Sequence, residues 1–534
     1  MSDTLSVVEG GATTKPRLRL AELVAALSLG IDLGFGQPME HVLRQCLIAL
    51  RLADVLGLDE EMRSTTYYSA LLVDVGCHTD AHEQAKWFGD DIAMKSGKYD
   101  RDMRTVAGML AGMSQIGAGN EPLHRLRVGV EFFLYGHKDV DGMVESHSQL
   151  ARALARELGL PQRVQDAVGT AYERWDGRGW PGELEADAIP LESRLAQFAE
   201  FVEVAHRIGG VSGAISLAKA RAGGQFDPHL AHALIDNADA IFADLDETQN
   251  WHAVIDVEPS LRVTLTHDQA ETALTGVADF IDLKSPYTLG HARAVADLTS
   301  GAAQRLALST VDLALSRHAG LVHGFGRLGV SNAIWDKHGP LAAGERERVR
   351  LHPYLTERML RQSEWLAPLG AVAVQLRERL DGSGYPHGLN ASAISMPARI
   401  LAAADVYQSM IEPRPYRSAR SAEDAARELR AEVSARRLDG DAVEAVLTAA
   451  GHSAVRRREH PAGLTTREVD VLRLLARGLS SKQISEQLVI SPKTARNHIE
   501  HIYTKIGATS RVTASLFAIQ HGLLPEVPQV ARDA

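Results

Sequence analysis

Cysteine is nearly absent from this chain of 534 residues, which contains only Cys46 and Cys77. Two distant cysteines offer neither a disulfide framework nor a cysteine-rich zinc module, and they fit a reducing compartment. Long apolar runs are missing too, since no stretch approaches the roughly 20 residues that a membrane-spanning helix needs. The first residues lack the pattern of a signal peptide. We therefore expect a cytoplasmic protein without a membrane partner, with short tails at 1–17 and 526–534.

Negative charge exceeds positive charge in the chain as a whole, but positive charge is concentrated near the C-terminus. The formal net charge of −11 argues against a protein that coats nucleic acid with its whole surface. Between Arg456 and Arg511, however, eleven Lys and Arg residues face five Asp and Glu residues. A local basic excess of this kind is what a DNA-contacting segment needs.

An internal repeat occupies most of the chain before residue 450. The phrase RWDGRGWP at 174–181 returns as RLDGSGYP at 379–386, a shift of 205 residues. Nearer the start of each copy the shift is 250, as from His41 to His291. The difference predicts an insertion in the first copy, at about 75–146.

Apolar residues recur at three- and four-residue spacing through both copies, which predicts helices and no sheet. We expect an all-α chain of two helical bundles in tandem followed by a smaller helical domain. The predicted segments are the first unit at 18–250, a connector at 251–265, the second unit at 266–450, a basic linker at 451–462 and the C-terminal domain at 463–525.

Four short helices are predicted in the C-terminal domain, at 467–477, 481–488, 492–506 and 511–520. Ser491 can cap the third helix, Pro492 suits its first position, and Gly507 can end it. Apolar residues make one stripe of that helix and polar residues make the other, as in a helix-turn-helix that enters the major groove. The predicted DNA-contacting residues are Lys482, Lys493, Thr494, Arg496, Asn497, Glu500 and Lys505.

The domain resembles the LuxR-type DNA-binding domain through LTTREVDVLRLLARGLSSKQIS, the ISPKT turn and the closing IYTKIG. The resemblance implies that the third helix reads the major groove and that the fourth often joins two copies. Promoter DNA, a second copy of the chain and RNA polymerase are the partners it implies. Two residues depart from the family pattern, Gln483 where Glu is usual and Ala495 where Val is usual.

The second unit resembles HD-GYP phosphohydrolase domains through YTLGHARAVADL, LVHGFGRLG, LHPYLTERML, RERLDGSGYPHGL and ARILAAADVY. The resemblance implies a helical bundle whose His and Asp residues hold two or more metal ions for hydrolysis of a phosphodiester, usually a cyclic dinucleotide. The retained ligand positions are His291, His323, His352 and Asp405. The lost positions are Gly324, Leu376 and Arg377.

Loss of three of the seven expected ligands argues against two-metal hydrolysis. Arg377 would place a fixed positive charge where a cation should sit. His291, His323 and Asp405 still form a 2-His-1-carboxylate set that can hold one Fe, Mn or Zn. The alternative is that they are polar core residues bonded to one another.

The first unit has lost ligands at different positions. By the same resemblance its candidate metal ligands are His41, Asp74, His147 and Glu200, whereas Val73, Ala171 and Tyr172 replace the others. The nearby phrase DVGCHTDAH adds Cys77, His78, Asp80 and His82, whose spacing matches no zinc pattern. We interpret that phrase as a solvated, capped loop.

Aromatic and basic residues near the former active sites define a candidate ligand pocket, although aromatic core packing is an equal alternative. Its residues are Tyr172, Trp175, Trp180, Arg377 and Tyr385. The sequence thus favours a one-component transcription regulator over an enzyme, with HD-type units that sense an unknown small molecule or form a dimer. The alternatives are an active metal-dependent phosphohydrolase coupled to DNA binding and a purely structural dimerisation module.

Overall fold

The computed structural model describes residues 17–99, 116–117, 128–129, 137–259, 262–451, 461–488 and 490–524. Within these ranges the chain forms helices and a few isolated backbone bridges, but no β-strand. The predicted all-α class is confirmed. None of the helices in the same ranges is long and apolar enough to cross a lipid bilayer.

Eleven α-helices of the described residues lie between Leu20 and Asp256, and most of them pack against α2 or α8. They are α1 Leu20–Gly34, α2 His41–Val55, α3 Glu60–Leu72, α4 Ala81–Phe88, α5 Asp91–Ser96, α6 His137–Glu157, α7 Gln162–Gly169, α8 Leu191–Arg221, α9 Pro228–Asp236, α10 Ala238–Phe242 and α11 Asn250–Asp256. Short 3₁₀ turns at Val75–His78 and Ala186–Ala188 connect them. Helix α8 is kinked at Gly210, whose φ of 63° is not helical.

Ten further α-helices form the second bundle, with α13 packed between α14, α19 and α21. They are α12 His267–Asp282, α13 His291–Arg305, α14 Thr310–Val322, α15 Asn332–Trp335, α16 Ala343–Arg350, α17 His352–Leu360, α18 Ala367–Ala373, α19 Met396–Ile411, α20 Ala422–Ser434 and α21 Gly440–Ala450. Three 3₁₀ turns lie at Phe325–Gly329, Val374–Arg377 and Ala391–Ala393.

The two bundles use the same local device at equivalent helix starts, those of α2 and α13. Asp32 accepts a hydrogen bond from the backbone N–H of Val42 at 3.0 Å. In the second bundle Asp282 accepts one from the backbone N–H of Ala292 at 2.8 Å. Each carboxylate satisfies a donor that the first helical turn leaves free, so the helix begins at the same histidine of the repeat.

The C-terminal domain consists of α22 Thr466–Ala476, α23 Ser481–Leu488, α24 Pro492–Ile506 and α25 Arg511–Gln520, each within one residue of its predicted bounds. Ser491 accepts a hydrogen bond from the backbone N–H of Thr494 at 3.0 Å, as predicted for a cap. Gln483 accepts one from the backbone N–H of Ser480 at 2.8 Å. A glutamine therefore completes this capping box as a glutamate would.

Helix α25 and the turn after α22 dock the C-terminal domain on both bundles. Gln520 Nε2 donates to Glu157 Oε2 at 3.0 Å, and the hydroxyl of Thr509 donates to Gln149. Gly478 lies against Pro286, so close that a Cβ at this glycine would be 3.3 Å from the proline ring. The domain that carries α24 is thus in contact with helix α6 of the first unit and the loop before α13 in the second.

Candidate functional sites

His291, His323 and Asp405 meet at the centre of the second unit. His291 begins α13, His323 follows α14, and Asp405 lies in the middle of α19; all three are buried. Asp405 Oδ1 lies 3.2 Å from His291 Nε2 and 3.6 Å from His323 Nε2. One ligand atom from each residue lies within 4.8 Å of the others, the spacing that a single metal ion requires.

Backbone and carboxylate partners orient the two imidazoles. His291 Nδ1 lies 2.8 Å from Glu412 Oε2, and His323 Nδ1 donates to the carbonyl of Gly320 at 2.6 Å. Both Nε2 atoms therefore face Asp405, in the manner of histidines that ligate metals. Glu412 is a site residue that the sequence reasoning missed, because it lies outside every motif used.

Two guanidinium groups share this space. Arg377 Nη2 lies 2.9 Å from Asp405 Oδ2. Arg327 Nη2 lies 3.4 Å from His323 Nε2 and 3.8 Å from Asp405 Oδ1. The ligand atoms of Asp405 and His323 that would face a metal ion thus already face a guanidinium group. Gly324 has no carboxylate that could bridge two ions. These residues do not fit a two-metal centre, and a single ion would have to displace the guanidinium groups.

Burial and charge set the protonation of the cluster. Burial opposes ionisation of Asp405, but Arg377 and His291 outweigh it and hold the pKa of this carboxyl well below its ordinary value. Burial, followed by Arg327, lowers the pKa of His323. Burial also works against protonation of His291, yet Glu412 and Asp405 raise its pKa. The surroundings therefore favour the ionised form of Asp405, the neutral form of His323 and the protonated form of His291.

His352 is close to this cluster but not part of it. Its Nδ1 donates to the carbonyl of Val349 at 2.7 Å, while its Nε2 forms no hydrogen bond with any described residue. Burial, followed by Arg377 and Arg327, lowers the pKa of His352 to about 3. The fourth predicted ligand is therefore a neutral imidazole beside the arginines.

The predicted ligands of the first unit do not gather at one point. Asp74 and Glu200 meet at the ammonium group of Lys98, whereas His41 Nδ1 pairs with Glu203 Oε2 at 2.5 Å. His147 Nε2 lies 2.6 Å from Asp80 Oδ2. Among the residues described in this unit, no three His, Cys, Asp or Glu side chains come within metal-ligand spacing.

The phrase 74–82 is not the solvated loop that the sequence suggested. Cys77, His78 and Asp80 are buried because this segment packs where the two units meet. His78 Nε2 hydrogen-bonds the carbonyl of Phe280 at 2.9 Å, and His82 Nδ1 lies 2.8 Å from Asp336. Two histidines of this segment, His78 and His82, therefore join the units.

The five candidate pocket residues divide between the units. Tyr172, Trp175 and Trp180 lie in the first unit, where Tyr172 Oη is 2.8 Å from Cys77 Sγ and the guanidinium of Arg194 lies 5.4 Å from the ring centre of Trp175. Arg377 and Tyr385 lie in the second unit, and the backbone N–H of Tyr385 donates to the carbonyl of Arg377 at 3.2 Å. The structure does not bring the five into one pocket.

The repeated phrase is held by a buried glutamate in each unit. Glu173 accepts hydrogen bonds from the backbone N–H groups of Gly182 and Glu183. Glu378 accepts them from His387, at 2.7 Å, and from Leu389. The repeated glutamates Glu173 and Glu378 thus hold the loop backbone, a role that the motif alone did not reveal.

The polar face of α24 is exposed, as a DNA-reading helix requires. Lys493, Thr494, Arg496, Asn497 and Glu500 are exposed, and so is Lys482 on α23. The opposite face of α24 is buried at Ala495 and Ile502.

Lys505 differs from the other predicted DNA contacts. Its Nζ lies 2.7 Å from Glu468 Oε2 and 3.2 Å from the carbonyl of Gly463. This lysine therefore pairs with groups of its own domain and joins the end of α24 to the start of α22.

Comparison with known families agrees with this arrangement. The model of the HD domain matches residues 135–230 and 276–442, and the model of bacterial regulatory proteins of the luxR family matches residues 462–518. The tandem HD-type units and the LuxR-type helix-turn-helix predicted from the motifs are therefore confirmed, and the C-terminal domain is of a DNA-binding type.

Similar proteins include phosphodiesterases. The chain is 31% identical to the 3'3'-cGAMP-specific phosphodiesterase 3 of Vibrio cholerae over 410 residues, 75% of this chain and 88% of that protein. It is 32% identical over 183 residues to a cyclic di-GMP phosphodiesterase of Thermotoga maritima, 33% of this chain and 50% of that one. The crystal structure of the V. cholerae cyclic GMP-AMP phosphodiesterase V-cGAP3 superposes with a TM-score of 0.58 and 26% identity, covering 82% of this chain and 99% of that one. The chain belongs to the HD-domain family that includes the Vibrio cholerae protein.

Proposed function

We propose that the chain is a one-component transcription regulator, in which the second HD unit binds an anionic phosphodiester without hydrolysing it and the helix-turn-helix binds promoter DNA. The convergence of Arg327 and Arg377 on Asp405 carries this proposal. Arginine presents planar pairs of N–H donors that match the oxygens of a phosphate, and its charge is permanent.

Both arginines have N–H groups without a hydrogen-bond acceptor. This favours a site that binds a ligand over a set of ion pairs that is already complete. Arg327 is buried, and its Nε and Nη1 form no hydrogen bond with any described residue; the same holds for Arg377 Nε. A buried N–H group without an acceptor costs free energy. Two phosphate oxygens would satisfy these donors.

Cyclic dinucleotides are the ligand class that the relatives favour, because several similar proteins are named as phosphodiesterases of such molecules. Tyr385 supports this choice because it lies beside Arg377. The guanidinium of Arg350 lies over its ring, 4.7 Å from the ring centre. An aromatic face of this kind can stack on a nucleobase. The first probe is 3'3'-cGAMP.

A metal-dependent phosphodiesterase is the second candidate. The similarity along most of the V. cholerae protein favours it, as does the spacing of His291, His323 and Asp405. When bound, one divalent Fe, Mn or Zn ion would polarise the phosphodiester. Gly324 and the two guanidinium groups weigh against it.

A short chain of contacts links the second-unit cluster to the docked DNA-binding domain. Glu412, which pairs with His291, also lies 2.9 Å from Arg414 Nη2. Arg414 donates to the carbonyl of Tyr287, next to the proline on which Gly478 rests. A phosphate that competes for Arg414 would loosen this loop, so we propose that ligand binding releases the C-terminal domain. Two copies of the chain then bind neighbouring half-sites of the promoter and contact RNA polymerase.

Titration calorimetry with 3'3'-cGAMP in the presence of EDTA tests the pocket. We expect binding by the wild-type chain and a loss of roughly tenfold or more, about 1.4 kcal/mol, in each of Arg327→Met and Arg377→Met. Arg399→Met is the matched control, because Arg399 pairs with Asp439 in the same unit. Equal binding by all four proteins would refute the pocket.

Product analysis separates the two candidate functions. The chain is incubated with 3'3'-cGAMP and Mn²⁺ or Fe²⁺, and the nucleotides are resolved by chromatography. Unchanged cGAMP agrees with a sensor, whereas linear dinucleotide that disappears in Asp405→Asn would establish the phosphodiesterase.

A further inference from the structure

The ammonium group of Lys98 lies between Asp74 and Glu200, the two carboxyl groups among the candidate ligands of the first unit. Its Nζ is 2.9 and 2.8 Å from the two oxygens of Asp74 and 2.5 Å from Glu200 Oε1. Both carboxylates are buried, at 3% and 2% residue exposure. Buried carboxylates require a cation, and here the chain supplies one.

Aromatic rings complete the surroundings of this ammonium. The Nζ atom lies 4.4 Å from the ring centre of Phe35, 5.1 Å from that of Tyr99 and 5.9 Å from that of Phe201. Ring faces attract an organic ammonium ion and contribute no ligand atoms to a divalent metal. The pocket thus has the chemistry of an ammonium site.

The histidines that would turn this pocket into a metal site are engaged elsewhere. His41 pairs with Glu203, and His147 lies between Asp80 on one side and Cys77, 3.6 Å from its Nδ1, on the other. Both imidazoles thus lie against carboxylates other than the two that contact Lys98. The residues present therefore do not fit a metal ion.

We propose that Lys98 is the resident cation of the first HD unit, and that the pocket it fills is selective for a primary ammonium over a divalent metal. The unit then holds its fold without any metal, whatever the second unit binds. Lys98 comes from the insertion that the second unit lacks, so the insertion supplies the charge that metal ions would bring.

Chemical rescue of Lys98→Ala in the full chain tests the proposal. Truncation to Ala removes three carbons and the ammonium, which n-propylammonium replaces. We expect the variant to lose several degrees in Tm, and n-propylammonium to restore most of the loss. 1-Propanol, which has the same length without the charge, should restore none of it.

Metal analysis of the same variant provides the opposing outcome. Zn²⁺ or Mn²⁺ bound near one equivalent, with recovery of Tm and no response to n-propylammonium, would overturn the selectivity for an ammonium. An unchanged Tm in Lys98→Ala would overturn the role of Lys98.

Two further variants control for general effects. Lys86→Ala removes an exposed lysine whose ammonium lies over one aromatic side chain, that of Trp87, and it should leave Tm unchanged. Lys98→Met keeps the length of the side chain without its charge. If Lys98→Ala does not fold, Lys98→Met replaces it, and wild-type stability in that variant would equally refute the proposal.

Discussion

Arg377 Nη2 lies 2.9 Å from Asp405 Oδ2, so the carboxylate that ends the ligand series of the second unit is paired with a side-chain cation. In the first unit Glu200 stands at the equivalent position and meets Lys98. The two cations come from unrelated parts of the repeat. Each unit thus places a side-chain cation of its own against this last carboxyl group.

Replacement of Arg377 by Met should cost about 3 kcal/mol of unfolding free energy, because it leaves Asp405 buried without its principal partner. Urea unfolding measures this loss. The same variant should take up more Mn²⁺ or Zn²⁺ than the wild-type chain, since the guanidinium no longer faces the donor atoms. Arg399→Met, whose partner Asp439 is partly exposed, should lose no more than about 1 kcal/mol and gain no metal.

Deprotonation of Glu200 should lower the free energy of unfolding between about pH 4.5 and pH 8. Burial, followed by the carboxylate of Asp74, raises the pKa of Glu200 from 4.5 to about 8. A raised pKa means that the folded state binds the proton more tightly, so this stabilisation is complete below pH 4.5 and is lost as pH approaches 8. Glu200 retains its proton because it shares the single ammonium group of Lys98 with a second carboxylate, that of Asp74.

Glu200→Gln provides the measurement for this pH dependence. Tm is followed from pH 4.5 to pH 8.5 in both proteins. The decline should be shallower in the variant, because its amide does not titrate. Parallel curves would show that Glu200 titrates at its ordinary pKa.

Local signals explain what the sequence predicted well. The bounds of α24 follow from the cap at Ser491 and the left-handed Gly507, both decided by neighbours in sequence. The meeting of His291, His323 and Asp405 followed from the family resemblance, since the motifs fix which helix carries each residue.

Contacts across the fold account for what the sequence did not predict. Lys98 lies outside the repeated motifs, so no pattern linked it to Asp74 and Glu200. The burial of His78 and the docking of Gly478 on Pro286 depend on how the domains pack. Periodicity and capping carry no information about such contacts.

Gly326→Ala and Gly76→Ala should each destabilise the chain by more than about 3 kcal/mol. A Cβ at Gly326 would overlap the carbonyl of His352, and one at Gly76 would overlap the carbonyl of His147. Backbone cannot yield as a flexible side chain can. Gly344→Ala is the control, because its Cβ would meet nothing within 4 Å and alanine favours the helix. Thermal unfolding distinguishes these outcomes, and a loss of similar size in all three variants would contradict the steric cause.

Arg496→Ala should weaken binding to a selected promoter site by roughly 1–3 kcal/mol and relax preference at one base pair, because an arginine on this face can bridge guanine N7 and O6. Lys493→Ala should weaken all sequences similarly and reduce the salt dependence, as expected for a phosphate contact. Selection from a random DNA library, followed by fluorescence anisotropy at several salt concentrations, measures both effects. Lys505→Ala serves as the comparison: Lys505 is paired with Glu468, so its loss should lower domain stability more than sequence preference. If Arg496→Ala retained the wild-type preference at every base pair, α24 would not read the major groove through Arg496.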